Sequence, residues 1–244
     1  MIPRHNILAA VAGRRARSGA AGWWTTTARN AWLFGPQNSL NDQIAANHAT
    51  AQGNAALGGS PNALQLDGVS DYCTTVETGL TYVGTAWQII AWVNPDPAVH
   101  DQTVLRIAGS APDTDAGMTI DHSGLAAGGA DKAFALGYDN DWADSHIYST
   151  TTVNDGWHMA MAGFDGTRLW AGADGVWEAS EVVDAAPNIR STLAWTIGSY
   201  GPNPNISEFK GAIGEIWLFD EWNDPASLSF SDMFNGTKSY YGVA

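Results

Sequence analysis

The amino-acid sequence predicts an all-β fold, because its turn residues recur at short intervals and helical periodicity is almost absent. Dipeptides that favour tight hairpin turns lie at Asp67-Gly68, Asp165-Gly166, Asp174-Gly175 and Asn235-Gly236. The Ala-rich stretch 41–56 suits a helix by propensity alone, but it contains Asn47 and Gly53 and has no apolar stripe. We therefore predict no substantial helix in the chain.

Two segments indicate how the strands pack. Residues 87–93 read WQIIAWV, so both alternate faces are mostly apolar, which predicts a central strand covered on both sides and ended by Pro95. In the segment 157–164 the large residues Trp157, Met159 and Met161 share one face. Further strands are expected near residues 103–108, 117–121, 133–138, 147–151, 169–171, 192–197 and 213–219.

A basic segment opens an otherwise acidic chain. The 244 residues include 11 Lys+Arg and 25 Asp+Glu, for a net charge of −14. The first acidic residue is Asp42, and all the Lys, Arg, Asp and Glu residues before it are arginines. The acidic body disfavours nucleic acid and anionic membranes. We predict that residues 1–31 form a basic arm that anchors the chain to other subunits, and that residues 32–244 form the domain. The anchoring residues are expected to be Arg4, Arg14, Arg15, Arg17, Trp23 and Trp24. The alternative is that Trp23 and Trp24 pin the arm to its own domain.

Targeting and redox signals are few. The apolar run 7–12 is followed directly by Arg14 and Arg15 instead of a small-residue cleavage site, so we expect synthesis in the cytoplasm without a signal peptide. Cys73 is the only cysteine, which excludes an intramolecular disulfide and a metal site built on paired thiolates.

Three segments of the sequence read LQLDGVSDY at 64–72, AWVNP at 91–95 and FKGAIGEI at 209–216. Together they resemble the laminin-G branch of the concanavalin A-like lectin/glucanase superfamily, and the resemblance spans roughly residues 32–235. It implies a two-sheet antiparallel jelly-roll sandwich whose rim loops bind a partner, with a loop and a short strand in 41–56 after an opening strand near 32–34. Leu66 replaces the usual aromatic residue and Gly214 replaces the usual Asp. Glu215 matches an acid of the family and is interpreted as structural.

Catalytic patterns are missing where the resemblance would place them. A retaining glucanase needs two carboxyl groups about 5–5.5 Å apart, as an E-x-D-x-E strand provides. The nearest approximations are Asp113/Asp115 and Asp139/Asp141 in loop-like stretches, and a set interpreted as a solvated edge: Glu178, Glu181 and Asp184. The six histidines are scattered without the spacing of a zinc site or a triad. We therefore expect a protein that is not an enzyme.

One acidic loop is a candidate calcium site. Calcium takes 6–8 oxygen ligands, and laminin-G-like rims often hold one ion through Asp and Asn side chains. The candidate ligands are Asp139, Asn140, Asp141 and Asp144. The alternative is a solvated acidic loop, and no cofactor is expected to be required.

Aromatic residues beside polar ones predict where a glycan binds. Tyr138 and Trp142 flank the acidic loop, and Tyr200, Asn203 and Asn205 lie in a Gly/Pro-rich loop. The alternative for the 12 tryptophans is that most of them, Trp92 and Trp157 above all, fill the core. Near the end of the chain, Trp222, Tyr240 and Tyr241 are equally suited to face a partner subunit.

These observations leave three classes of function. We predict a non-enzymatic structural protein on the surface of a virion or another extracellular assembly, such as a phage decoration or fibre component. Its partners are the other subunits and host-surface glycans. The first alternative is a free carbohydrate-binding lectin module, and the second is a glycoside hydrolase.

Overall fold

A computed structural model describes residues 23–76, 86–99, 102–107, 116–120, 132–138, 144–182, 194–200, 207–226 and 228–244. Within them, two antiparallel sheets pack face to face, which confirms the predicted two-sheet sandwich. No helix of this part of the chain is both long and apolar enough to cross a membrane.

The first sheet has eight described strands: β1 Asn30–Trp32, β3 Ala56–Gly58, β4 Ala63–Asp67, β6 Trp87–Pro95, β11 His158–Phe164, β12 Arg168–Ala173, β13 Val176–Val182 and β15 Lys210–Phe219. Their order in the sheet is β13-β12-β11-β6-β15-β4-β3, and β1 also pairs with β15. This layer is the eight-stranded sheet.

The second layer is the seven-stranded sheet. Its strands are β2 Ala49–Gln52, β5 Tyr72–Thr75, β7 Gln102–Ile107, β8 Ala116–Ile120, β9 Lys132–Tyr138, β10 Asp144–Thr152 and β14 Thr196–Ile197. Their order in the sheet is β10-β9-β8-β7-β14-β5-β2. Most of the predicted strand positions agree with these bounds to within one to three residues, whereas only the last two residues of 192–197 are described as a strand.

The space between the sheets holds the main core. Its largest side chains are fully buried and come from the eight-stranded sheet and from the connecting segments: Trp32, Phe34, Trp87, Phe164, Trp195 and Phe209. Alternate residues of each strand face this core, as the pleat of a strand requires.

A second core lies on the outer face of the eight-stranded sheet. Ile90, Trp92, Met159, Met161 and Trp217 form its floor. They are covered by helix α1 (Trp24–Thr27), helix α3 (Phe230–Thr237) and the 3₁₀ turn Lys238–Tyr241. A further short helix, α2 (Phe34–Gln37), follows β1 in the chain. Strand β6 is therefore buried on both faces, as its sequence predicts. The position of Trp92 corrects the expectation that it fills the space between the sheets.

Helix α3 was not predicted, and the prediction of a tight turn at Asn235-Gly236 was wrong. The helix begins after Ser229, whose hydroxyl accepts a hydrogen bond from the backbone N–H of Asp232 at 3.2 Å. Asn235 and Gly236 lie inside its last turn. With only eight residues, the helix carries too short an apolar pattern to stand out in the sequence.

The described domain begins at least as early as residue 23, not at residue 32. Trp24 is only 3% exposed, and the indole N–H of Trp23 donates to the Ser229 carbonyl at 3.2 Å. Both tryptophans thus pack on their own sandwich, which corrects their assignment to an intermolecular anchor. Arg4, Arg14, Arg15 and Arg17 lie outside the described residues, so their anchoring role stays a prediction.

Three aromatic residues expected to suit a partner subunit also have contacts within the chain. The Trp222 ring contacts the rings of both Trp170 and Trp177, at centroid distances of 5.4 and 5.3 Å. Tyr241 is buried against Trp92, and Tyr240 contacts Tyr241 edge to face. The C-terminal segment therefore closes the domain itself.

The Asp67–Tyr72 segment, which carries the family resemblance, has a structural explanation. The Asp71 carboxylate is 2% exposed and accepts hydrogen bonds from the backbone N–H groups of Asn54 and Asp67. Glu208 accepts another from the N–H of Ser70 at 2.8 Å. Buried Glu215 likewise accepts from the Trp217 indole N–H at 2.8 Å, as expected of a structural acid.

Glu178 joins the two sheets and is not part of a solvated edge. It lies on edge strand β13, and its carboxylate accepts hydrogen bonds from the N–H groups of Thr150 and Thr151 in β10, at 2.7 and 2.9 Å, and from the Thr151 hydroxyl. One carboxylate thus satisfies three donors of the opposite sheet.

Replacing Glu178 with alanine is expected to lower the free energy of unfolding by about 1–3 kcal/mol, because three donors lose their acceptor. Urea unfolding measures this change. Glu181→Ala, on the exposed part of the same strand, is the control and should change stability by less than about 0.5 kcal/mol. Equal effects for the two variants would contradict the role of Glu178 in joining the two sheets.

Candidate functional site

The outer faces of the two sheets differ in character. That of the eight-stranded sheet is apolar and covered by the chain's own ends. On the seven-stranded sheet, Thr74, Thr196 and Arg106 are cross-strand neighbours on β5, β14 and β7. Their sequence neighbours Cys73, Ile197 and Leu105 belong to the inner core, so this polar row lies on the outer face. We call this the polar face.

Exposure on the polar face falls from β2 and β5 toward β7 and β8. Thr50 on β2 is exposed, and Tyr72 and Thr74 on β5 are half-buried. Further along, Thr103 and Arg106 on β7 are 0% and 3% exposed, and Thr119 on β8 is 3% exposed. A ligand would therefore approach from β2 and β5, and the part of the face at β7 and β8 is more deeply buried.

Arg106 and Tyr200 form the centre of the polar face. The guanidinium carbon of Arg106 lies 3.6 Å from the Tyr200 ring centroid, a cation–π contact. The Thr196 hydroxyl lies within hydrogen-bond distance of the carbonyl oxygens of Arg106 (3.2 Å) and Ser199 (2.8 Å). These contacts hold the turn that carries Tyr200 against β7.

The turn before Tyr200 needs a glycine. Gly198 has a φ of +83°, and a Cβ atom there would lie 2.5 Å from Leu66 Cδ1. A larger residue would combine a strained backbone conformation with a close approach to the buried Leu66 side chain, so this turn favours glycine.

Two hydroxyl groups in the more deeply buried part of the polar face have no hydrogen-bond partner within the residues that the structure describes. They belong to Thr103 and Thr119, which are directly opposite each other on β7 and β8. A buried hydroxyl without a partner costs about 1–3 kcal/mol. Such groups therefore mark a place where a ligand's polar atoms would be stabilised.

Among the predicted glycan-binding residues, the structure places Tyr200 on the polar face. For Tyr138 and Asp144, only the backbone is described, and the two residues are paired at the end of the β9–β10 hairpin. The other predicted site residues lie outside the described residues: Asp139, Asn140, Asp141, Trp142, Asn203 and Asn205. Their glycan and calcium roles stay predictions. No cluster of three or more His, Cys, Asp or Glu side chains suited to a metal occurs in the described part of the chain.

Sequence reasoning missed the other members of the polar face. Arg106 stands in the strand QTVLRI with no motif around it, and Tyr72 and Thr119 are separated from it by sequence and loops. A single charge within an otherwise uncharged strand was the one signal that pointed to Arg106. The pairing of β14 with both β7 and β5 brings these residues together.

A separate polar cluster surrounds His158. Its Nδ1 lies 2.9 Å from Asp174 Oδ2, and its Nε2 lies 2.6 Å from Asp155 Oδ1. Asp174 also accepts from the backbone N–H of Met159 at 2.9 Å, and the adjacent Gly175 packs against helix α3. The hydrogen bond to Asp174, with a second to Asp155, raises the pKa of His158, against the opposing effect of burial. We interpret this cluster as a clamp between two loops.

The clamp predicts a pH-dependent stability. The folded-state pKa of His158 is raised, so its contribution is complete below the unfolded-state value of about 6.5 and is lost as pH rises through the folded-state value. The Tm difference between the wild type and His158→Gln should thus be larger at pH 5.5 than at pH 8.5. Asp155→Asn should reduce this pH dependence. A Tm difference that is the same at both pH values would rule out the charged clamp.

The comparisons with known proteins bear on the fold. No family model and no curated protein sequence matches the chain. Domain 4 of AbnA, a GH43 extracellular arabinanase from Geobacillus stearothermophilus solved in complex with arabinotriose, is similar in structure, with a TM-score of 0.62 and 16% identity over 85% of this chain and 98% of that chain. This likeness supports the β-sandwich.

Botulinum neurotoxin binding domains are similar as well. The serotype D/C VPI 5993 binding domain has a TM-score of 0.64 and 12% identity over 86% of this chain and 52% of that chain. The receptor binding domain of the C/D mosaic serotype has a TM-score of 0.65 and 11% identity, covering 89% and 55%. The chain thus spans about half the length of these toxin domains. At such identities the likeness shows the fold alone.

Proposed function

We propose that the chain is a non-enzymatic, lectin-like module that binds carbohydrate on the polar face. The observation that carries this proposal is the set of hydroxyl groups, tyrosine rings and one arginine on the outer face of the seven-stranded sheet, open on the side of β2 and β5. Tyr72 and Tyr200 offer ring faces for sugar C–H groups, and the threonine hydroxyls both donate and accept hydrogen bonds. Sugar hydroxyls need this combination.

Two further observations support binding without catalysis. The buried carboxylates of Asp71, Glu208 and Glu215 each accept hydrogen bonds from the chain's own donors, so they are committed to structure. The similar AbnA domain was solved with arabinotriose, and one similar toxin structure concerns interaction with two ganglioside molecules. A sandwich of this shape is thus compatible with glycan ligands.

Binding to a glycan array that includes arabinotriose and gangliosides tests this function. Tyr200→Ala is expected to reduce binding at least tenfold with little change in Tm, because Tyr200 is half-exposed. The control is Tyr240→Ala, which removes a half-buried tyrosine ring near Asn62. Full binding by Tyr200→Ala, or no binding of any glycan by the wild type, would contradict the proposal.

A second proposal concerns where the module is displayed. Arg4, Arg14, Arg15 and Arg17, with no acidic residue before Asp42, suit docking on an acidic protein surface. On this basis residues 1–22 anchor the chain to a virion or another extracellular assembly, with the lectin-like face outward. Light scattering of the full chain and of a chain lacking residues 1–22, at low and high salt, tests self-assembly through this segment. Equal masses at both salt concentrations would rule it out.

A further inference from the structure

The part of the polar face on β2 and β5 is open to solvent and carries no charge. Thr50 and Gln52 on β2 pair with Thr74 and Tyr72 on β5. All four side chains face outward, because they alternate with core residues such as Cys73. Thr50 is exposed, and the other three are half-buried. We call these four residues the open patch.

The open patch is similar in size to one sugar ring. Cross-strand partners lie about 5 Å apart, and outward residues two positions apart on a strand lie about 7 Å apart. Thr50 is opposite Thr74, and Gln52 is opposite Tyr72. The four side chains therefore mark the corners of an area that one pyranose ring can cover.

Three of these side chains can form further hydrogen bonds. Within the part of the chain that the structure describes, the hydroxyl groups of Thr50 and Thr74 and the side-chain amide of Gln52 make no hydrogen bond. The amide offers an acceptor oxygen beside two N–H donors, and each hydroxyl both donates and accepts. Adjacent hydroxyl groups of a sugar match this set.

Resting on the proposed function, we propose that the glycan is neutral and that its hydroxyl groups bind Gln52, Thr50 and Thr74. The chain has a net charge of −14, and no residue of the open patch is a cation. An anionic sugar therefore meets a negative potential there, whereas a neutral sugar does not. Arg106 does not offset this potential for a ligand, because it lies on β7, is 3% exposed and already contacts Tyr200.

A glycan array of matched pairs tests the preference for neutral sugars. Each pair consists of an acidic glycan and its neutral form, such as a sialylated oligosaccharide with its desialylated form or trigalacturonic acid with its methyl ester. In every pair that binds, the neutral member is expected to bind at least tenfold more tightly at low salt. The difference should shrink at high salt, because ions screen the repulsion. Equal or tighter binding of the acidic members would overturn the inference and leave the proposed function intact.

A single substitution in the open patch tests where the glycan binds. Gln52→Glu keeps the size of the side chain but removes both N–H donors, so the affinity should fall at least tenfold. Calorimetric titration of the full chain measures this loss, with arabinotriose or with the neutral glycan that binds most tightly on the array. The control is Gln37→Glu, which adds the same charge on helix α2, against the eight-stranded sheet. It should bind as tightly as the wild type.

The outcomes separate this inference from the proposed function. If Tyr200→Ala weakens binding but Gln52→Glu does not, the inference is wrong and the function stands. If the wild type binds no glycan, both fail. If Gln52→Glu does not fold, Thr74→Val decides: the inference requires at least a threefold loss of affinity for the neutral glycan, and an unchanged affinity contradicts it.

Discussion

Replacing Gly214 with aspartate, the residue usual at this position in laminin-G-like chains, is expected to destabilise the domain by about 3–5 kcal/mol. Gly214 is the extra residue of a β-bulge, between Ile213, paired with Val93, and Glu215, paired with Trp92. A Cβ atom at this position would lie 2.3 Å from Cε1 and 2.5 Å from the hydroxyl oxygen of Tyr241. The new carboxylate would be buried, unpaired and in the place of the tyrosine ring.

The loss of Tyr241 packing explains why the effect is large. The Tyr241 ring stacks on Trp92 at a centroid distance of 4.5 Å and contacts Trp157 at 4.7 Å. Displacing Tyr241 therefore disturbs the cover over the outer face of the eight-stranded sheet. Gly214, where laminin-G-like chains usually have Asp, leaves the space that the Tyr241 ring of the C-terminal segment occupies.

A double-mutant cycle tests this explanation by urea unfolding. Gly214→Ala alone should cost about 1–3 kcal/mol through overpacking, and this cost should nearly vanish in a Tyr241→Ala background because the clash is gone. Gly58→Ala is the control, since a Cβ atom there has no neighbour within 4 Å. If the cost of Gly214→Ala is the same with and without the Tyr241 side chain, the close approach is not its cause.

Removing residues 222–244 is expected to abolish cooperative unfolding and to produce an aggregating protein. The deletion would uncover Trp92, Met159, Met161 and Trp217, an apolar surface larger than a soluble monomer usually exposes. It would also remove the hydrogen bond from the Trp92 indole N–H to the Thr237 hydroxyl at 2.8 Å. The segment is therefore part of the core and not an appendage.

Buried polar contacts at the start of this segment strengthen that expectation. Asn223 donates two hydrogen bonds to Gln88 Oε1, at 3.0 and 2.9 Å, and accepts one from Gln88 Nε2 at 3.1 Å. Deletion would leave the buried Gln88 amide without these partners, in the middle of the eight-stranded sheet.

A deletion of similar length at the other end is the control. A chain lacking residues 1–22 retains Trp23, Trp24 and all described contacts, so we expect it to stay soluble and to unfold cooperatively. Calorimetry and static light scattering compare the two truncations. A soluble chain lacking 222–244 with an unchanged Tm would show that the outer core is dispensable.

Much of the strand layout could be predicted because it depends on local pattern. The run from Trp87 to Val93 is apolar on both alternate faces, and β6 is indeed buried on both. The Asp174-Gly175 dipeptide forms the predicted hairpin turn, with φ values of +51° and +85°. In these segments the neighbouring residues alone determine the conformation that is favoured.

The candidate sites could not be predicted in the same way, because long-range pairing assembles them. Asp155 and Asp174 flank His158 only after two loops meet, and Thr119 approaches Arg106 only once β8 pairs with β7. The Asn235-Gly236 prediction failed for a related reason: the apolar floor beneath helix α3 stabilises helical backbone in a pair of residues that favours a turn.

By itself, the sequence determined the class of fold, the approximate positions of most strands, the acidic charge of the body and the segments that resemble laminin-G domains. Only the tertiary structure decided which outer face is covered and which is polar. The reason is physical: strand alternation specifies two faces, but which one becomes covered depends on where distant segments such as 23–28 and 222–244 find apolar surface to bury.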